Sequence, residues 1–137
     1  MTRERVVIDT NVFISGLLSS TSTPARVVDR AMEHGQLLAS TDTLRELMTK
    51  LLSPKFDRYI SRERRDALLE RLAPNVEMVE IVQQVRASRD PKDDKFLEVA
   101  LNGEADVLVS GDNYLLTLHP FRGTDILTPA AYLSRER

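Results

Sequence analysis

The chain has 137 residues, 42% hydrophobic and 29% charged, with a formal net charge of −2 and no cysteine. That size and balance predict one globular domain over residues 1–137, with a core that needs no staples. They exclude disulfides, thiolate metal sites and a cysteine nucleophile. The apolar runs are far too short for a membrane span, and the N-terminus runs into a strand pattern rather than a signal-peptide core, so the expectation is a cytoplasmic protein without a membrane partner. There is no global basic footprint, so a nucleic-acid partner would need a local basic patch.

Val6-Val7-Ile8-Asp9 predicts a first strand over 6–9, apolar enough to be buried on both faces of a parallel sheet. Val12 to Leu18 continues as a helix over 11–18. Asp9 then falls at the carboxyl edge of the sheet, where open α/β sheets place ligands. Two readings stand there: a turn or cap residue, or a metal ligand or catalytic acid. The polar loop Ser19 to Thr23 leads to Pro24, with Thr23 as the expected N-cap and Pro24 at the first helical position. Apolar residues at helical spacing then run to His34-Gly35, a helix stop.

Leu37-Leu38-Ala39 predicts the second strand, and Ser40-Thr41-Asp42 restarts a helix that Pro54 closes. Glu46 lies at the border of that helix's apolar stripe, a position natural for a solvated residue. Residues 50–71 are locally basic, with Lys50, Arg58, Arg62, Arg64 and Arg65 among them and a helix over 61–72. They read either as a solvated face or as a phosphate-contacting rim. Val76 to Val79 is the third strand, and 81–88 carries no clear pattern.

Asp90-Pro91 opens a further helix, with Asp90 as N-cap and Asp93 in the first turn, where a carboxylate favours the helix start. Asp90, Asp93 and Asp94 exceed what capping needs, so the surplus acid requires a partner, either Lys92 and Lys95 or a cation. Asn102-Gly103 stops the helix. Ala105 to Ser110 is the fourth strand, followed at once by Gly111-Asp112-Asn113, an echo of the opening pattern. Asp125-Ile126-Leu127 and a terminal helix capped by Thr128 finish the chain. His34 and His119 read as surface residues without a role.

Alternating strands and helices imply an α/β fold with a central, mostly parallel sheet of about five strands and helices on both faces. All strands then end on one edge. Asp9 and Asp112 end strands there, Asp93 begins a helix there, and Glu46 is near enough to reach it. Four carboxylates crowded without a counter-ion would repel, and a divalent cation relieves this. Oxygen ligands without Cys or His select Mg²⁺ or Mn²⁺ over Zn²⁺. The chemistry such a site supports is phosphodiester hydrolysis.

The blocks Val7-Ile8-Asp9-Thr10-Asn11-Val12, Leu44-Arg45-Glu46-Leu47, Arg89-Asp90-Pro91-Lys92-Asp93-Asp94-Lys95-Phe96-Leu97-Glu98 and Ala105 to Asp112 resemble PIN-domain proteins. The nearest group is the toxin components of toxin–antitoxin systems, the VapC-like ribonucleases. The likeness runs over essentially the whole chain. It implies a three-layer α/β/α fold and a Mg²⁺- or Mn²⁺-dependent ribonuclease with RNA as substrate, a cognate antitoxin and a homodimeric state. It carries Asp9, Glu46, Asp93 and Asp112 to the acidic metal site and gives Asn11 and Ser110 a supporting polar role. Asp90 and Asp94 are adjacent candidates; relatives often carry Asn at the position of Asp94, which favours Asp93.

Competing classes have weaker support. A non-catalytic PIN-like module that binds RNA or protein would be expected if an acid were missing, and none is. A phosphatase with an aspartyl nucleophile commonly has a second Asp two residues after the first, where this chain has Asn11. No residue pattern assigns a general base.

Overall fold

A computed structural model describes residues 3–135. Five strands, β1 (Glu4–Ile8), β2 (Gly35–Ala39), β3 (Val76–Met78), β4 (Val107–Val109) and β5 (Asp125–Leu127), form one sheet in the order β3-β2-β1-β4-β5. Every neighbouring pair is parallel. Parallel neighbours require crossover connections, and helices supply them. These are α1 (Thr10–Leu18), α2 (Thr23–His34), α3 (Thr41–Leu51), α4 (Arg62–Leu72), α5 (Asp94–Asn102), α6 (Asn113–Leu116) and α7 (Pro129–Ser134).

The apolar run of β1 is explained by its central place. Val6 and Ile8 point into one core with α1 to α4 and Tyr132 of α7, while Val7 points into a second core with α5 and Leu115 of α6. The layers are therefore helices, sheet and helices, as the residue pattern implies. Gly16 lets α1 approach α2: a Cβ there would lie 3.2 Å from the backbone of Ala25.

Several boundaries differ from those read in the sequence. β1 begins at Glu4, because Glu4 and Arg5 pair with Gly35 and Gln36 by backbone alone. It ends at Ile8, and Asp9 is the N-cap of α1. The cap of α2 is Ser22, whose Oγ accepts from Ala25 N at 3.3 Å, so Thr23 is already helical. Asp90 does accept from Lys92 N, at 3.0 Å, but it caps a 3₁₀ turn over Pro91–Asp93, and α5 proper begins at Asp94.

The patternless stretch 81–88 is ordered by one face of α5. Asp94 Oδ1 accepts from Ala87 N and Ser88 N at 3.1 and 2.8 Å, and Glu98 Oε2 accepts from Val85 N at 3.1 Å. Asn102 Oδ1 accepts from Val82 N and Gln83 N at 3.0 and 2.9 Å. Residues four apart share a helix face, so the three side chains act as a substitute ladder. In the basic stretch, Arg65 turns inward, donating to Leu51 O and Ile60 O at 2.8 and 2.9 Å, and so ties α3 to α4.

Candidate active site

The chain runs from β1 outward to β2 and β3, then returns to place β4 on the other side of β1. Where strand order reverses, the connections splay apart and leave a crevice at the carboxyl ends of β1 and β4. Asp9 follows β1, and Ser110, Gly111 and Asp112 follow β4.

Asp9 is 4% exposed and Ser110 is fully buried. Ser110 Oγ donates to Asp9 Oδ2 at 2.8 Å, and Asn11 N donates to Asp9 Oδ1 at 3.3 Å. Burial pushes the Asp9 carboxyl up, against the pull of those two hydrogen bonds. Asp112 N donates to Ser110 Oγ at 2.9 Å, and Asp112 Oδ1 accepts from Tyr114 N at 2.8 Å as the N-cap of α6.

Asp93 closes the 3₁₀ turn, and its side chain caps no helix. Asp93 thus sits at a helix start, as its place in the sequence suggests, but makes no capping hydrogen bond there. Its carboxyl instead lies against that of Asp112. Burial first, then the neighbouring Asp112 carboxyl and the charges of Asp9 and Asp90, push Asp93 up to about 7. Its Oδ2 is buried without a hydrogen-bond partner.

Glu46 of α3 is half-buried and turned toward β1. Its Oε2 accepts from Thr10 Oγ1 at 2.6 Å and its Oε1 pairs with Lys95 Nζ at 3.0 Å. Burial acts to raise this carboxyl, but the Thr10 and Lys95 contacts outweigh it and hold Glu46 below the usual range. Lys50 Nζ donates to Asn11 Oδ1 at 3.1 Å. Asp9 feels the charges of both Glu46 and Lys50.

The structure thus brings Asp93 together with Asp112, with Asp9 beside them, and engages Glu46 with Thr10 and Lys95. Among the described residues, no three His, Cys, Asp or Glu side chains stand grouped as a formed metal cluster. The donor chemistry nonetheless fits a hard divalent cation. The groups are carboxylate oxygens, two of them crowd one another, and one buried oxygen lacks a partner. Asp93 and Asp112 are placed to hold such an ion, with Asp9 adjacent.

The remaining candidates lie at the margin. Asp90 caps the 3₁₀ turn, and Asp94 is committed to the backbone of residues 87 and 88. Residue pattern alone does not single out Thr10 or Lys50, and it offers Lys95 only as a partner for the surplus acids of its own turn. Thr10 sits in a strand-to-helix turn where small polar residues are routine, and Lys95 meets an acid 49 residues away.

The fold and these residues define a doubly wound α/β architecture with acids gathered at the switch point between β1 and β4. The family model described as PIN domain matches residues 5–114. The uncharacterized protein MJ1680 of Methanocaldococcus jannaschii is 34% identical over 118 residues, which cover 83% of this chain and 74% of that protein. The chain belongs to the PIN domain family. A chain in the crystal structure of VapBC2 from Rickettsia felis, bound to a DNA fragment from their promoter, has a similar fold. The TM-score is 0.59 at 10% identity, over 90% of this chain and 98% of that one. No helix among the described residues is long and apolar enough to cross a membrane.

Proposed function

We propose that this PIN-domain chain is a divalent-cation-dependent ribonuclease that hydrolyses RNA phosphodiester bonds, and that it is the toxin of a toxin–antitoxin pair. The observation that carries the nuclease reading is the mutual crowding of Asp93 and Asp112 beside buried Asp9, at the crevice where β1 and β4 diverge. Mg²⁺ or Mn²⁺, when bound, supplies charge neutralisation at a phosphoryl group and activation of a water. Asp93 and Asp112 would hold the cation, Asp9 would complete the set, and Glu46 would join on leaving Lys95. Ser110 orients Asp9 and positions the backbone of Asp112.

The toxin reading is supported by the resemblance to VapC-like proteins and by the fold shared with a chain of the Rickettsia felis VapBC2 complex. An antitoxin would then be the protein partner, and a second copy of the chain a further one. Exposed apolar side chains on and just after α3, Met48 and Leu52, offer surface for such contacts.

Incubation with a panel of single-stranded and structured RNAs tests the nuclease reading. Cleavage is expected with Mg²⁺ or Mn²⁺ and none with EDTA. Binding of RNA without cleavage of any substrate under all conditions would instead favour a non-catalytic module.

A further inference from the structure

The segments that carry Asp93 and Asp112 meet twice. The two carboxyls lie against one another. Close by, the guanidinium of Arg89 lies over the ring of Tyr114, 5.8 Å from its centroid. Tyr114 follows Asp112 by two residues, and its own backbone N–H is bound to the Asp112 carboxylate. The Tyr114 backbone is therefore fixed to the acidic site.

Its neighbour Leu115 is fully buried and serves the core, whereas Tyr114 is 46% exposed. Exposed single aromatics are ordinary on protein surfaces. This one differs in its place. It stands two residues from Asp112, against an exposed arginine. Two residues span at most about 7 Å. That matches one to two nucleotides of a stacked strand, at about 3.4 Å each. A strand whose phosphate met Asp93 and Asp112 would bring an adjacent base onto Tyr114. Arg89 would contribute positive charge toward the neighbouring phosphate, beyond what Lys50 and Lys95 bring to this edge, and would hold the ring in orientation.

We propose that Tyr114, braced by Arg89, is a stacking platform for a nucleobase of the bound RNA strand next to the cleaved bond, an inference that rests on the nuclease reading of the crevice. Stacking on an aromatic ring accepts any base, so the platform positions the strand and does not select a sequence.

The experiment uses the full chain with Ca²⁺ in place of Mg²⁺ or Mn²⁺, a hard cation that takes the same oxygen ligands, and the RNA is checked for integrity after each titration. The probes are a fluorescein-labelled single-stranded RNA of mixed sequence and an abasic oligonucleotide of equal length. Tyr114→Ala should weaken RNA binding by about five- to a hundredfold, Tyr114→Phe by no more than about twofold, and the abasic probe should bind wild type and Tyr114→Ala equally. Because the chain has no tryptophan, Tyr114→Trp adds a single reporter, whose emission should be quenched by the RNA and not by the abasic strand. Unchanged RNA affinity in Tyr114→Ala, or equal binding of the two probes to wild type, would overturn the platform. If metal-dependent RNA cleavage persists in that case, the nuclease reading survives. If wild type neither binds nor cuts any RNA, both fall together.

Discussion

Ser110 Oγ donates to Asp9 Oδ2 at 2.8 Å across the seam between β4 and β1, and the same oxygen accepts from Asp112 N at 2.9 Å. One buried hydroxyl thus aligns the acid that follows the first strand with the acid that follows the fourth. Ser110→Ala removes a donor from a buried carboxylate and leaves Asp112 N without its acceptor. A loss of about 1–3 kcal/mol in urea unfolding is expected. Divalent-cation affinity, read by calorimetric titration, should fall as well, because Asp9 loses its alignment.

The Lys95–Glu46 pair leads to a different expectation. Both side chains are partly exposed, so Lys95→Met should change stability by no more than about 1 kcal/mol. Once Lys95 is gone, Glu46 keeps its charge without a resident cation. Mn²⁺ should then bind more tightly than to wild type, and titration of the two proteins side by side checks this. Weaker binding by the variant would show that Lys95 holds Glu46 in a useful position and does not compete with the metal.

The raised carboxyl of Asp93 makes stability depend on pH. Its folded value is about 7 against an ordinary value of 3.8. The folded chain therefore holds this proton more tightly than the unfolded chain. That contribution is complete below about pH 4 and is lost as pH rises through about 7. In EDTA the melting temperature should decline over that window, and Asp93→Asn should flatten the decline. With Mn²⁺ present, the gain in melting temperature should grow with pH across the same range, because the ion displaces the proton.

Asp94, Glu98 and Asn102 form the side-chain ladder that orders residues 82–88. Asn102→Ala should cost about 1–2 kcal/mol and speed amide exchange at Val82 and Gln83, with the central strand β1 unaffected. Uniform protection in the variant would show that the segment is held by its other contacts.

These relationships also show what the residues alone disclose. The strand-to-acid pattern of Asp9 and Asp112, repeated after two apolar runs, places both acids on one edge once parallel topology is inferred, and the sheet order confirms that edge. The fold is legible for the same reason: the apolar run Val6-Val7-Ile8 of β1 and the fully apolar β4 mark central strands. Asp93 is ambiguous in the sequence because an acid in a first helical turn has a sufficient local explanation; only the 3₁₀ turn shows that its side chain caps nothing. The partners of Glu46 are hidden, since Lys95 meets it across 49 residues and no local spacing encodes that. The ladder on α5 is readable in principle, as three polar side chains four apart. Its target is main chain, however, and leaves no mark in the sequence. His119 reads as a bare surface residue, yet its Nδ1 accepts from Ile126 N at 2.9 Å and anchors β5.

The switch-point carboxylates are expected to bind a divalent cation. Calorimetric titration of Mn²⁺ into wild type, Asp93→Asn and Glu63→Gln tests it directly; Glu63 lies on the exposed first turn of α4, outside the crevice. Saturable binding is predicted for wild type and for Glu63→Gln, and at least about a tenfold loss of affinity in Asp93→Asn, with all three proteins folded by circular dichroism. Equal affinity of wild type and Asp93→Asn, or no binding by wild type at all, would contradict it.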